Sequence, residues 1–276
     1  MGGLRPYRLE LSAQLACVNM RGYWTPILLL VGLYAVIMAS PALRTDFVGL
    51  IASERLLARA YKAGVEGNSL QVVALAEQSI KMRPDEVSVW SRAGQLMLGV
   101  GEAEQGLEYL RKAAELDTGA RAPLAYAWAL SSQGDSKASL EYYKKLLARF
   151  PDDPQVLNDA GYMLVEHEQD LDLALSSLRH AMELEPASPY IVDSYGWALF
   201  KSKRLAEAVP YLEWAARRSP DSPDVQQHLA QALAHLGRVQ EAQAASRRAM
   251  HPQSPGLMQK WLWSFQDHFA PDAPRA

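Results

Sequence analysis

His228 and His235 are the pair in this chain whose spacing first suggests metal chemistry, because a separation of seven residues puts both imidazoles on one face of a helix. At roughly 1.5 Å of rise per residue, however, they stand about 10 Å apart along the axis, too far to share an ion without further ligands. Glu166-His167-Glu168 gathers two carboxylates and an imidazole, but it lies between two apolar periodic stretches and reads as a solvated acidic turn. Cys17 is the single cysteine, which excludes an intramolecular disulfide framework and a cysteine-based zinc site and leaves the redox compartment open. No glycine-rich phosphate loop, nucleophile elbow or catalytic-cysteine context occurs. The expectation is a binding protein with no catalytic residue, no metal and no cofactor.

The 276 residues, 49% hydrophobic and 21% charged, suit one extended or two compact folded domains. A formal charge of −3 gives no basic surface for a run of phosphates, so nucleic acid is excluded as an expected partner.

Near the N-terminus, Gly22 to Leu43 carries no charged side chain, and Tyr23 to Met38 is almost unbroken apolar sequence. About 20 such residues cross a bilayer core, and Tyr23, Trp24, Arg21 and Arg44 flank the stretch as interfacial residues do. The reading is a transmembrane helix over 23–43, with the lipid bilayer as its partner. A cleaved signal peptide competes, offering small residues at Ser40-Pro41-Ala42 but a proline beside the cleavage point. A lipid-attachment box at Gln14-Leu15-Ala16-Cys17 competes less well, because Arg5, Arg8 and Glu10 interrupt any apolar core before it. Arg5, Arg8 and Arg21 precede the span and Arg44, Arg55, Arg59 and Lys62 follow it, so the charge bias barely discriminates orientation. A short arginine-bearing tail before a first apolar segment usually stays in the cytoplasm, which places the larger part of the chain outside it.

Beyond the span the chain repeats its own punctuation: Arg83-Pro84-Asp85, Phe150-Pro151-Asp152, Glu185-Pro186-Ala187 and Ser219-Pro220-Asp221, with Asp117-Thr118 in the gap. Steps of about 34 residues are the signature of a helix-turn-helix solenoid. The unit Val87 to Thr118 carries Trp90, Ala93-Gly94, Met97, Gly101, Leu110 and Ala113. The frame recurs as Leu157, Ala160-Gly161, Leu164, Ala174, Leu178, Ala181 and again as Val192, Tyr195-Gly196, Leu199, Ala208, Leu212, Ala215. These residues resemble the tetratricopeptide repeat (TPR) pattern position by position. Gly94, Gly161 and Gly196 are expected where the first helix of a pair approaches the second, with Ala174, Ala208 and Ala242 at the facing point. Weaker units span about Ser53 to Pro84, Ala120 to Pro151 and Pro223 to Ser254. Asp153-Pro154, Ser188-Pro189, Ser222-Pro223 and Ser254-Pro255 each place a capping side chain before a proline at the first helical position. Between Leu164 and Ala174 the turn glycine is missing and one residue is extra, which predicts a longer, acidic turn.

The resemblance implies an all-α, right-handed superhelical solenoid of about six helix pairs. Its expected organisation is an N-terminal tail (1–22), the transmembrane helix (23–43), a linker (44–52), the repeats (53–254), a capping helix (255–270) and a tail (271–276). Met258, Trp261, Leu262, Phe265 and Phe269 share one face of that last helix. In this family the first helices line a concave groove, and the face reached by steps of three and four carries Trp128, Asn158, Tyr162, Tyr190, Asp193, Trp197, Phe200, Gln227, His228 and Gln231. These are the expected partner-binding residues, although Tyr162 and Trp197 serve equally well as packing residues and Trp128 fits packing better. The cationic clamp with which chaperone-binding members hold a carboxylate is absent, since Asn158, Asp159, Asp193 and Ser194 stand at its positions. The expected function is a bacterial inner-membrane scaffold, its repeat domain periplasmic, that gathers protein partners for a secretion, pilus or exopolysaccharide machine. The alternatives are a cytoplasm-facing adaptor and a glycan-binding accessory subunit of a polysaccharide enzyme.

Overall fold

The computed structural model describes residues 39–250, so the tail over 1–22, nearly all of the expected span and the capping helix over 255–270 lie outside the described residues. Twelve helices follow one another without a strand among the described residues. In chain order they are α1 (Pro41–Val65), α2 (Ser69–Met82), α3 (Val87–Gly99), α4 (Ala103–Leu116), α5 (Arg121–Ser132) and α6 (Ser136–Arg149). The remaining six are α7 (Pro154–Glu166), α8 (Leu171–Leu184), α9 (Pro189–Lys201), α10 (Leu205–Arg218), α11 (Pro223–His235) and α12 (Val239–Met250). No described helix is long and apolar enough to cross a membrane.

The helices pair as the repeat frame predicts, α1 with α2 through α11 with α12, and each second helix then packs on the first helix of the next pair. First helices also touch one another from pair to pair, α1 with α3, α3 with α5, α7 with α9 and α9 with α11. Second helices make no comparable contacts. The array therefore has an inner layer of first helices and an outer layer of second helices, and its inner face is the concave one.

Small residues set the spacing within pairs. A Cβ at Gly94 would stand 2.8 Å from Leu110 Cγ, at Gly161 2.6 Å from Leu178 Cγ, and at Gly196 2.9 Å from Leu212 Cδ2. The first atoms met are leucines, one turn beyond the alanines that the sequence suggested. In the last pair the small residue is Ala230, and Ser246 stands where the leucine would be.

Three findings at helix ends correct or add to the sequence reading. Residues 44–52, expected as a linker, belong to α1. The stretch has no proline to interrupt it, and Arg83 at the end of α2 donates to the Asp46 carbonyl at 3.2 Å and pairs with its carboxylate. That contact holds the early turns of α1 against the array. Secondly, Ser254-Pro255 lies outside the described residues, and of the three expected caps within them only Asp153 bonds through its side chain, accepting from Gln155 N and Val156 N at 3.0 Å each. Ser188 and Ser222 share the extended cap backbone, with ψ of 111° and 114°, but make no cap bond through their hydroxyls. There the fixed φ of Pro189 and Pro223 sets the helix start. Thirdly, α5 has no proline start, and Asp117 supplies the cap by accepting from Gly119 N at 2.8 Å and Ala122 N at 2.9 Å.

The turn between α7 and α8 is longer, as its sequence implied. Four of the other turns within pairs use Gly67, Gly101, Gly134 and Gly237 at positive φ and the α9–α10 turn uses Lys203 at 64°, whereas here Glu168 and Asp170 take φ of 51° and 43°. Asp170 offsets this by capping α8 through Leu173 N at 3.2 Å.

Candidate functional site

Among the first helices, α1 and α3 join through an ion pair of Glu54 with Arg92, while α7, α9 and α11 carry acidic and uncharged polar residues at one place in the repeat. At matching places in the repeat these helices carry Asn158-Asp159, Asp193-Ser194 and Gln227-His228. The pairing helices α8, α10 and α12 bury the opposite, apolar faces, so the polar positions are left on the inner layer.

Asp193 and His228 form the centre of this region, and both are buried, with 5% and 6% of their surface exposed. His228 Nδ1 lies 2.7 Å from Asp193 Oδ2. Burial pushes the Asp193 carboxyl above the usual range, opposed by the hydrogen bond to His228. Trp197 lies flat on the imidazole, ring centres 4.2 Å apart at 14°, and Phe200 also stacks on the indole at 4.9 Å and 16°. The indole Nε1 donates to Glu166 Oε1 of α7 at 2.6 Å. One network thus ties three consecutive first helices.

The ten residues expected to line the groove separate into three groups. Asp193, Trp197 and His228 are buried between first helices, so Trp197 is a packing residue with its ring covered. Asn158, Tyr162, Tyr190 and Phe200 are half-buried, while Trp128, Gln227 and Gln231 are exposed. Trp128, at 41% exposure, reverses the expectation that it packs. Its covering position explains the difference: the residue that stands to Trp128 as His228 stands to Trp197 is Asp159, a carboxylate that cannot stack as an imidazole does. Tyr162 reaches the His228 ring at 6.1 Å, and its phenol is raised by burial and then by Glu166, Asp224 and Asp193. His235 is turned to the edge of Phe200 at 5.1 Å, and among the described residues no group of acids, histidines and cysteines is arranged to hold a metal.

Sequence reasoning passed over Asp159 as a site residue. Burial pushes its carboxyl from 3.8 up to about 6, only partly opposed by the hydrogen bond that Asn158 Nδ2 donates to Oδ1 at 3.0 Å. No cation pairs with it among the described residues. The folded state holds this proton more tightly than the unfolded chain, so ionisation lowers stability as pH rises from about 4 to about 6. Asp159→Asn is expected to stabilise the protein at neutral pH by about 2 kcal/mol. Thermal melts across that pH range should show the gain opening with rising pH and levelling off above about 6. A gain that does not change with pH would mean that Asp159 is not the group titrating.

The comparisons agree with this architecture. Residues 124–189 and 199–250 each match a tetratricopeptide repeat family model. A TPR repeat-containing protein of Pseudomonas aeruginosa is 35% identical over 92 residues, covering 33% of this chain and 14% of that protein. The type IV pilus assembly protein PilF of the same organism is 29% identical over 156 residues, covering 55% of this chain and 62% of PilF. The chain therefore spans less than two thirds of either relative. Among solved structures, a tetratricopeptide repeat protein from Parabacteroides merdae superposes with a TM-score of 0.58 at 14% identity, over 74% of this chain and 81% of that one. Residues 124–189 and 199–250 are thus tetratricopeptide repeats, set in a solenoid whose twelve described helices pair in one frame.

Proposed function

We propose that the protein is a membrane-anchored scaffold whose inner face holds a protein partner during assembly of an envelope machine, with a pilus the favoured machine. The observation that carries the scaffold reading is the inner layer of first helices, across which no described helix packs. Such a surface offers side chains from several units to one extended partner. The similarity to a pilus assembly protein supports the choice of machine, and the apolar run over 23–38 supports the anchor in the inner membrane, with the repeats in the periplasm. A glycan-binding role loses its main anchor, since His228 and Phe200 cover the Trp197 ring on which a sugar would stack.

Two measurements test this reading. A reporter fused after Ala276 should be active only outside the cytoplasm, and activity only inside it would favour the cytoplasm-facing adaptor. Full-length protein purified in detergent should bring pilus or secretion components with it. Recovery of polysaccharide-synthesis enzymes alone would overturn the choice of machine.

A further inference from the structure

In each later pair the first helix is covered on one side by the second helix of the pair before it, α2 on α3 through α10 on α11. Among the described residues nothing covers that side of α1. The usual cover is apolar: Val89 and Ala93 cluster with Ala76 and Ile80 of α2, and Val156 and Ala160 with Tyr143 and Leu146 of α6. Counted back from the small residue at each helix crossing, Val89 corresponds to Ala122, Val156, Ile191 and Val225, all buried. In α1 the corresponding residue is Arg55. Arg59 likewise stands where later pairs bury Ala93, Ala160, Tyr195 and Leu229. Both arginines are exposed and make no ion pair among the described residues, whereas the acids of α1 are paired, Asp46 with Arg83 and Glu54 with Arg92. Val48, Ile51 and Met82 are exposed beside the arginines and line with them an open groove that contains no carboxylate.

We propose that this end of the solenoid docks on a bilayer carrying anionic lipid, with Val48, Ile51 and Met82 in the interfacial layer and Arg55 and Arg59 on lipid phosphates. The chain itself brings the face there, because Val48 follows Met38, the end of the apolar run, by ten residues, at most roughly 35 Å of chain. Ser40 is not helical and α1 starts afresh at Pro41, so α1 need not continue the direction of the residues before it. An apolar helix from a second copy or a protein partner would fit this face poorly. It would bury two guanidinium groups where the array buries carbon, which is costly without paired carboxylates. At a bilayer surface the arginine stems lie along apolar groups while their heads stay at the phosphates. This proposal rests on the membrane anchor proposed above and adds which end of the array faces the bilayer.

The test uses the full chain with Cys17→Ser and one cysteine labelled with nitrobenzoxadiazole, either Gln78→Cys in the groove or Gln240→Cys on the exposed surface of α12. Each protein is reconstituted into vesicles of phosphatidylcholine, alone or mixed with phosphatidylglycerol in roughly equal amount, with a spin-labelled lipid that quenches near the headgroups. The Gln78→Cys probe is expected to be quenched in the mixed vesicles and protected in phosphatidylcholine alone. The Gln240→Cys probe should be protected in both. Each arginine near an anionic surface shifts the docked-to-undocked ratio about fivefold, so Arg55→Glu with Arg59→Glu should lower it at least about thirtyfold. Arg55→Lys with Arg59→Lys keeps the charge and should dock nearly as the parent does. Raising salt from about 0.1 M to about 1 M shortens the screening length from about 10 Å to about 3 Å and should release the face. Because both arginines are exposed and unpaired, the glutamate pair should melt with the parent, which separates loss of docking from loss of fold. Equal signals from the two probes, or quenching at Gln78→Cys that survives the glutamate pair, would overturn the proposal. So would a Gln78→Cys probe that crosslinks between copies in both vesicle types, which would assign the face to a second copy. Protein that floats with neither vesicle would overturn the anchor as well. Protein that floats with both but leaves the Gln78→Cys probe unquenched would overturn this proposal and leave the anchor standing.

Discussion

Trp197→Ala is expected to lower the stability of the solenoid by about 3 to 5 kcal/mol, the range for removing a large aromatic from a packed interior. In a domain of this size that corresponds to a fall in melting temperature of roughly 6 to 20 °C. The physical reason is that the indole is in contact with three elements. It stacks on His228 of α11 and Phe200 of its own helix, and it donates to Glu166 of α7. Truncation leaves the imidazole without its stacking partner and opens a space between first helices that the surrounding backbone cannot close. Trp197→Phe keeps a ring on His228 and loses mainly the hydrogen bond to Glu166, so its loss should be near 1 kcal/mol beyond any repacking. Trp128→Ala, at the half-exposed counterpart on α5, should cost clearly less than Trp197→Ala. Thermal melts of the three variants measure these differences directly. Equal losses at positions 128 and 197 would show that the Trp197 stack contributes nothing special. Loss of partner binding in Trp197→Ala would, for the same reason, say little about recognition, because the array itself is weakened.

The contrast between these two tryptophans shows where sequence reading stops. Both follow a small residue in the first helix of a pair, Ala127 for one and Gly196 for the other, and both were placed on one groove face by helical periodicity. Periodicity assigns a direction within one helix. Whether the ring is then covered depends on a residue in the next pair, His228 or Asp159, whose side chain arrives from outside the local pattern. The Asp193–His228 bond is hidden for a similar reason, since 35 positions separate its partners. The helices themselves were legible because each has a local cause: proline at a helix start, glycine at a turn, small residues at a close approach. The start of α1 was not, because the repeat frame begins near Ser53 whereas the helix begins at Pro41. What extends it into the array is the contact of Asp46 with Arg83, which no periodicity announces.

Gly196→Leu is the second large expected loss, about 1 to 3 kcal/mol from overpacking. Two roles for this glycine are separable. Glycine serves either where the backbone takes positive φ or where a neighbour approaches too closely for a Cβ. Gly196 is inside α9 and is not among the positive-φ glycines, so the first role is excluded. The second holds, because an added Cβ would stand 2.9 Å from both Leu212 Cδ2 and Cγ and 3.1 Å from Tyr211 Cβ. Leu212 is fully buried and cannot swing aside, and Tyr211 is held edge-on to Tyr195 with ring centres 5.1 Å apart. A leucine at 196 would force α10 outward or its own side chain off a favoured rotamer, and displacement of α10 would disturb its packing on α11. Gly99→Ala is the control, because a Cβ there meets nothing within 4 Å. With its helical backbone preserved, it should be neutral or gain up to about 1 kcal/mol. A melt in which Gly196→Leu matches the parent would mean that α9 and α10 do not approach as closely in solution as the repeat frame requires. If instead Gly99→Ala and Gly196→Leu were equally destabilising, space at the helix crossing would not be what selects glycine at position 196.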